Sequence, residues 1–527
     1  MIKVRQIKIE VLNDNENSRL EALLKKIKLK KEDILNYKIT KQSLDARDKN
    51  NILYVYEMVV EIKNEEKYLK NNLNKDVTYY EDVPYKFEKS GTKSLQNNII
   101  VVGSGPAGLF SAYTLLENGY NVTIIERGKK IEERIIDIEK FWEENKLNKN
   151  SNVQFGEGGA GTFSDGKLNT LIKDSNNRMK KVFETFVKFG APEDILYSYK
   201  PHIGTNELRK VIINMRNEVL KLGGIILYET TLTNLIIENN CLKKIVVNHN
   251  EEIPCEALIL AIGHSSRDTF KMLNENNLEI VNKPFAVGVR IQHNQSMINE
   301  SQYGKKYMEV LPACSYKLTH KAKDGRGVYT FCMCPGGFVV NASSEENRLV
   351  VNGMSNHERN EKNSNSAIIV TIDERDYGNN LFDGVKYQIM LEEKAYELCN
   401  GKIPVQLFKD YKEKEISTKF KSIVPVMKGS YDFADLNKLF SNDINEALKE
   451  TIEAFGTKIK GFNNDDVILA GVESRTSSPI KIIRDENCES NIKGIFPCGE
   501  GAGYAGGITS SAIDGIKVAE AIGKIYQ

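Results

Sequence analysis

The chain has 527 residues, of which 40% are hydrophobic and 28% charged, with a formal net charge of +1 at pH 7. This length exceeds what one hydrophobic core usually supports, so two or three domains are expected. The balanced charge gives no electrostatic attraction to nucleic acid or membranes, and no apolar run approaches the roughly 20 residues of a membrane span. Eight irregularly spaced cysteines and the lack of a signal-peptide pattern predict a cytoplasmic protein with reduced thiols.

A small N-terminal α/β domain is predicted over residues 1–85. Residues 2–12 fit a strand, residues 20–27 carry the apolar spacing of a helix, and residues 33–40 and 52–62 fit a strand pair. The sequence from 68 to 96 is polar, with scattered aromatic residues and no sustained period. It predicts a linker, or an arm that lies across the next domain.

A dinucleotide-binding βαβ unit is predicted where an apolar strand runs directly into the motif GSGPAG at 103–108 and then into helical spacing. Gly103 permits the tight turn, Gly105 lets backbone amides approach a pyrophosphate, and Gly108 allows close packing of helix and strand. The next strand ends on Glu126, about 20 residues beyond the glycines, where an acid accepts hydrogen bonds from ribose hydroxyls. The helix N-terminus would then meet the phosphate charge.

Two further glycine-rich clusters match the same bare pattern without the βαβ context. The cluster at 156–168 follows a polar stretch, so it is predicted to be an extended loop passing close to a ligand, with a flexible surface loop as the alternative. The cluster at 499–515 reads as a glycine loop leading into a helix. There Glu500 is placed to bind a ribityl hydroxyl, and amides near Gly507 and Ile508 to face the pyrimidine edge of a flavin.

With these motifs the chain resembles the glutathione-reductase-like flavoprotein superfamily and, more narrowly, a group of bacterial NAD(P)/FAD-dependent oxidoreductases and dehydrogenases with no settled substrate. The specific similarities are GEGGAGTFSDGKL at 156–168, GRGVYTFCMCPGGFVVNA at 325–342, GVESRTSSP at 471–479 and GYAGGIT at 503–509. The resemblance implies bound FAD and a redox role. Together with the motifs it predicts the cofactor-binding residues Gly103, Ser104, Gly105, Pro106, Ala107, Gly108, Glu126, Arg127, Gly158, Gly159, Thr162, Ala261, Gly263, Gly499, Glu500, Gly506, Gly507 and Ile508.

The resemblance also implies an α/β fold in which a Rossmann-like FAD-binding domain is interrupted by an inserted, mainly antiparallel β substrate domain. The FAD-binding domain would occupy residues 96–278 and 465–527, and the inserted domain residues 279–464. The apolar segment at 257–263 looks like the strand that returns to the FAD-binding domain before this excursion. His264 follows it, and a solvent-facing or hydrogen-bonded role competes there with a catalytic one.

Four residues are candidates for the chemistry, and no metal site is predicted. Cys332 and Cys334, by analogy with neighbouring flavoprotein families, lie in a turn near the flavin ring. A redox role for them competes with packing, because one intervening residue makes a strained disulfide. Glu473 could transfer protons and Arg475 could orient an anionic or carbonyl substrate, or the two could form an internal pair that holds a loop.

These patterns predict an FAD-dependent oxidoreductase that transfers hydride between flavin and a small unsaturated, carbonyl or amine compound. The sequence has no second βαβ fingerprint and no Cys-x-x-Cys motif, which argues against a disulfide reductase with two dinucleotide-binding domains. Reducing equivalents would then come from NADH or NADPH that visits the site transiently, from a protein carrier, or from the substrate being oxidised. One alternative is an enzyme that reduces or modifies an RNA base, docked by the lysines among residues 25–31. The other is a partner-binding protein in which FAD is structural.

Overall fold

The computed structural model describes all 527 residues. Its N-terminal domain contains β1 (Ile2–Glu10), α1 (Glu16–Ile27), β2 (Ile34–Asp45), β3 (Leu53–Ile62), α2 (Glu65–Asn71) and β4 (Val77–Tyr79). The four strands form one antiparallel sheet in the order β2-β3-β1-β4, and its apolar face packs with Leu23 and Ile27 of α1 into a separate core.

The prediction of a linker from residue 68 is wrong at its start, because α2 and β4 extend into it. The three residues of β4 join the sheet only through pairing with the distant β1, which no local pattern reveals. The rest of the segment is the predicted arm. The backbone N–H of Ser90 donates to Gly523 at 3.0 Å, and Phe87 packs against Tyr120.

The next part of the chain contains β5 (Ile99–Val102), α3 (Pro106–Glu117), β6 (Val122–Ile125), α4 (Ile131–Glu144), α5 (Arg178–Lys188), α6 (Thr205–Lys221), β7 (Ile225–Leu227), β8 (Leu232–Glu238), β9 (Cys241–Val247), β10 (Glu251–Pro254), β11 (Leu258–Leu260), α7 (Arg267–Glu275) and β12 (Ile280–Asn282). The predicted βαβ unit is present as β5, α3 and β6. Strands β8, β9 and β10 form a separate antiparallel sheet.

The inserted region contains β13 (Phe285–Asn294), α8 (Gln295–Tyr303), β14 (Thr319–Lys321), β15 (Gly327–Cys334), β16 (Phe338–Asn341), β17 (Val351–Met354), β18 (Asn363–Ile372), α9 (Glu374–Tyr377), α10 (Asp383–Leu398), β19 (Ile403–Leu407), α11 (Phe408–Glu413), β20 (Met427–Lys428), β21 (Tyr431–Phe433), α12 (Asn442–Gly456) and β22 (Ile468–Glu473). Seven strands form its main sheet, in the order β14-β15-β18-β13-β22-β19-β21. Only the β19–β21 pair is parallel.

The chain ends with β23 (Ile480–Ile482), β24 (Ile495–Pro497) and α13 (Ile508–Ile525). Strand β24 completes a five-stranded parallel sheet in the order β24-β11-β5-β6-β7, against which α3 and α13 pack. The fold is therefore a discontinuous Rossmann-like α/β domain that carries a mainly antiparallel inserted domain, which confirms the predicted fold class. None of the helices combines the length and the apolar character that a membrane span requires.

One predicted domain boundary needs correction. Strand β22 was assigned to the closing part that begins at residue 465, but it pairs with β13 and β19 in the sheet of the inserted domain. Its apolar side chains belong to the inserted core, because a buried apolar strand has the same sequence signature in either sheet. The chain returns to the FAD-binding domain only after Glu473.

A buried histidine gives the inserted domain a pH-dependent stability. His293 on β13 is fully buried, and burial lowers its pKa from 6.5 to about 4. Below pH 6.5 His293 therefore binds a proton in the unfolded chain but stays neutral in the folded chain. The free energy of unfolding is highest above pH 6.5 and decreases as the pH falls towards 4. We expect unfolding free energy to fall by about 2 kcal/mol between pH 6.5 and 5, and His293→Gln to flatten this slope in urea titrations.

Candidate functional site

The three glycine-rich clusters meet at one place at the carboxyl ends of the parallel strands. A Cβ placed on Gly105, between β5 and α3, would lie 3.7 Å from the Cα of Gly159 in the second cluster. A Cβ on Gly161 would lie 3.1 Å from Ile508, the first residue of α13, and one on Gly499 would lie 2.7 Å from Ala107. The backbones approach so closely because these positions carry no side chain.

Two helix N-termini face this junction. Helix α3 begins after Gly105 and α13 begins after Gly507, and neither has a side-chain cap. The first amides of a helix have no intrahelical partner, so both ends offer N–H donors and a positive dipole to an anionic group. Backbone without Cβ at Gly263 and Gly506 borders open space. These features fit FAD. That α3 holds the pyrophosphate and α13 faces the ring stays a prediction.

Glu126 connects the first two clusters. It is buried at the end of β6, where one carboxylate oxygen accepts from the amide of Ser104 at 2.9 Å and from its hydroxyl at 2.7 Å. The other oxygen accepts from the amides of Gly128 at 2.9 Å and Gly156 at 3.0 Å. The carboxylate therefore holds both loops in place. Its contact with the ribose stays a prediction.

A buried arginine that the sequence analysis missed holds the second cluster. The Arg134 guanidinium, on α4, donates to the carbonyls of Asn152, Val153, Gly156, Glu157 and Gly159. Five carbonyls around one fully buried cation give this loop a defined shape. The alternative of a flexible surface loop therefore does not fit. The only feature of the sequence that could have identified Arg134 is its position on the otherwise apolar face of a helix.

Other predicted cofactor residues differ in what they offer. The Thr162 hydroxyl lies inside the protein, 3.5 Å from the carbonyl of Glu157, and Arg127 is paired with Asp268. Glu500 lies beside His264, with its carboxylate 3.4 Å from Nδ1 of the ring. The other ring nitrogen of His264 is buried without a hydrogen-bond partner, as expected where a polar ligand completes the site.

Glu473 forms a buried ion pair across the inserted sheet. Its carboxylate accepts from Nε of Arg290 at 2.8 Å, and Arg290 also donates to Asn365 at 2.5 Å and Asn352 at 3.0 Å. Burial raises the pKa of Glu473, and the attraction of Arg290 opposes that rise without cancelling it. The carboxyl therefore binds a proton more readily than an exposed glutamate does. Its charge also interacts with His264, which places the pair against the FAD-binding domain.

Arg475 occupies a different network, so the predicted pair between Glu473 and Arg475 is wrong. Its five N–H groups all donate within the protein: to Glu392 through two of them, and to Glu345, Ser265 and Ser344. No N–H group is left to bind a substrate. We therefore correct its predicted substrate role to that of a positioning residue, which ties the loop after β22 to the segment after β11.

Glu392 is the centre of this second network. It is fully buried on α10 between the guanidiniums of Arg267 and Arg475, and its nearest contact to each is 2.7 Å and 2.8 Å. Burial acts to raise the pKa of Glu392, but the two cations hold it below its ordinary value. The sequence analysis missed both Glu392 and Arg267, because their partners lie in distant segments.

Glu392→Gln should destabilise the protein, because it leaves two buried guanidiniums facing each other without a counter-charge. We expect a loss of about 3 kcal/mol of unfolding free energy. Chemical denaturation of the flavin-loaded protein measures it. Glu393→Gln on the same helix is the control, because Glu393 is only half-buried and is paired with Arg348 at 3.3 Å. An equal effect of the two substitutions would contradict the assignment.

Cys332 and Cys334 lie on the same sheet as the ion pair. Strand β15 bulges between Phe331 and Cys334, and Cys332 adopts a left-handed backbone conformation with φ of 41°. Arg290 donates to the Cys332 carbonyl at 3.3 Å. The following turn is linked to the second glycine cluster through Ser355, which donates to the carbonyl of Pro335 and accepts from the amide of Thr205, whose hydroxyl donates to the carbonyl of Thr162.

Family models match most of the chain. Residues 97–295 match the pyridine nucleotide-disulphide oxidoreductase family, and residues 284–476 match the C-terminal domain-like region of FAD-dependent proteins. Residues 1–61 match a domain of unknown function. An uncharacterized protein of Clostridium beijerinckii is 45% identical over 527 residues, covering 99% of this chain and 98% of that protein.

Two solved structures illustrate the more distant similarities. L-proline dehydrogenase from P. horikoshii aligns with 82% of this chain and 94% of its own at 13% identity, with a TM-score of 0.38. Glycine oxidase from Bacillus cereus aligns with 81% of this chain and 95% of its own at 11% identity, with a TM-score of 0.35. These values are too low to transfer a substrate.

Proposed function

Because this chain belongs to the FAD-dependent oxidoreductases, we propose that it transfers a hydride between bound FAD and a small organic molecule held against the inserted sheet. The observation that supports this proposal is the Glu473–Arg290 pair. It is a buried acid–cation pair on the substrate-domain side of the junction, and His264 stands on the FAD-binding side. Burying charged groups costs free energy of folding, and clusters of buried ionisable side chains are typical of functional sites.

The two domains divide the task. FAD supplies the hydride chemistry when bound, while the protein binds, orients and excludes water. On the FAD-binding side the backbones around Gly105 and Gly159 and the first turn of α13 would hold the cofactor. On the other side the inserted sheet covers the junction. Arg475, which is held by Glu392, joins the two sides because it donates to the hydroxyl of Ser265, the residue after His264.

Glu473 is proposed to move the proton that accompanies hydride transfer. Burial raises its pKa, which brings the carboxyl nearer to the operating pH of a general acid or base. Arg290 orients the carboxylate through its Nε and stabilises the charged form. A substrate that carries an exchangeable proton next to the oxidised carbon, such as an amine or an alcohol, fits this arrangement.

A turnover screen tests the proposal. The flavin-loaded enzyme is supplied with an artificial electron acceptor and, one at a time, with NADH, NADPH, primary and secondary amines, and 2-hydroxy acids. We expect at least one donor class to support turnover that saturates with donor concentration and depends on Glu473. The proposal would be contradicted if the flavin stayed bound to the protein but remained oxidised with every donor class.

A further inference from the structure

We propose that Cys332 and Cys334 form a redox-active dithiol–disulfide pair that exchanges two electrons with bound FAD. The inference rests on the proposed function only in requiring bound FAD. It adds a second redox centre to the flavin and makes small dithiols or disulfides a substrate class. The two thiols were a sequence candidate for redox chemistry, with packing as the competing explanation, and the geometry separates these two roles.

The first argument is the local backbone. A thiol kept only for packing has no need of an unusual conformation, yet Cys332 lies in the left-handed region, which non-glycine residues rarely adopt. The register of β15 shifts between Phe331 and Cys334, and the Cys334 thiol folds back to donate to the backbone carbonyl of Cys332 at 3.3 Å. Strained backbone of this kind concentrates at functional sites.

The second argument is charge. The neighbouring thiol of Cys334 favours the thiolate form of Cys332, and the cations Lys167 and Arg290 act in the same direction. Together they lower the pKa of Cys332, whereas the pKa of Cys334 is raised by its neighbour and by burial. One thiolate beside one thiol is the arrangement that thiol–disulfide chemistry needs, because the thiolate is the nucleophile. Cys332 is also partly exposed, while Cys334 is buried.

The third argument is position. The turn after Cys334 is linked to the glycine loops by three hydrogen bonds in series. Ser355 donates to the carbonyl of Pro335 at 2.9 Å, the amide of Thr205 donates to Ser355 at 2.9 Å, and the Thr205 hydroxyl donates to Thr162 at 2.7 Å. The dithiol is thus held against the second glycine cluster, on the side of the junction occupied by Glu473.

The step balances with FAD as the oxidant. The Cys334 thiol loses its proton, one S–S bond forms between its sulfur and that of the Cys332 thiolate, and two electrons and one proton pass to FAD. In the reverse direction the same two electrons and one proton open the disulfide to a thiolate and a thiol. Because one intervening residue makes a strained disulfide, the oxidised pair is expected to be easily reduced.

Anaerobic reductive titration of the flavin-loaded, fully oxidised enzyme with dithionite tests the proposal. Wild-type protein should take up four electrons per FAD, whereas Cys332→Ser and Cys334→Ser should take up two. The matched control is Cys399→Ser, a half-buried cysteine elsewhere in the inserted domain, which should still take up four. Uptake of two electrons by the wild-type enzyme would overturn the inference.

A second measurement needs no variant. Free thiols are alkylated in the denatured protein and counted by mass spectrometry. The oxidised enzyme should have two fewer free thiols than the reduced enzyme, and the peptide that contains Cys332 and Cys334 should carry a disulfide between them. Equal thiol counts in both states would refute the pair. If small-molecule donors still reduce the flavin in that case, the proposed function stands without the dithiol.

Discussion

Gly105→Val is expected to abolish FAD binding while the fold is retained. Gly105 has φ of −72°, which any residue adopts, and a Cβ there meets only the Cα of Gly159 at 3.7 Å. The extra methyl groups of valine would fill the gap between the first two glycine clusters, where the pyrophosphate must approach. We expect FAD affinity to fall at least about 1000-fold, or roughly 4 kcal/mol. Flavin absorbance of the purified variant and titration of its apoprotein with FAD measure the loss.

Gly327→Val is the matched control for this prediction. Gly327 lies at the start of β15, and a Cβ there also has its nearest contact at 3.7 Å, with Thr371. Both variants should show wild-type circular dichroism, but only Gly105→Val should be colourless. A Gly105→Val protein that retains a full complement of flavin would place the pyrophosphate somewhere else.

Glu473→Gln is expected to lower kcat about 100-fold to 10,000-fold, because the amide cannot exchange a proton with the substrate. The substitution keeps the shape of the side chain and leaves FAD bound. In the wild-type enzyme kcat/KM should rise with pH as Glu473 loses its proton. Since its pKa is raised, this acidic limb should lie at higher pH than for an ordinary glutamate. The limb should be missing from the variant.

The control for Glu473→Gln is Glu489→Gln. Glu489 is also buried and is paired with Lys493, but it lies on the far side of the FAD-binding domain, beside β24. Its substitution should leave kcat and the pH profile unchanged. A Glu473→Gln enzyme with the wild-type pH profile would show that the carboxyl only pairs with Arg290 and moves no proton.

The cofactor side of the site could be predicted because its signals are local. Strand, glycine turn and helix follow one another between β5 and β6, so the spacing of Gly103, Gly105 and Gly108 already specifies a βαβ unit. The glycines of the other two clusters were recognisable as backbone that must approach a neighbour. The structure adds the neighbours, which are Gly105 and Ala107 themselves.

The substrate side could not be predicted in the same way because its contacts join distant segments. Glu473 and Arg475 are two residues apart, which suggested a shared role. Their partners, Arg290 and Glu392, lie 183 and 83 residues away in sequence and are brought close only by sheet pairing and helix packing. The same limit misplaced β22, because its apolar sequence is compatible with either sheet.

The most direct test of the central claim is anaerobic stopped-flow reduction of the flavin-loaded enzyme by the small-molecule donors of the turnover screen, with NADH and NADPH included. FAD-dependent hydride transfer predicts that at least one donor bleaches the flavin absorbance in the wild-type enzyme. Where that donor is an amine or a 2-hydroxy acid, Glu473→Gln should bleach at least about 100-fold more slowly. Flavin that every donor leaves oxidised, although dithionite still reduces it, would contradict the claim and assign FAD a structural role.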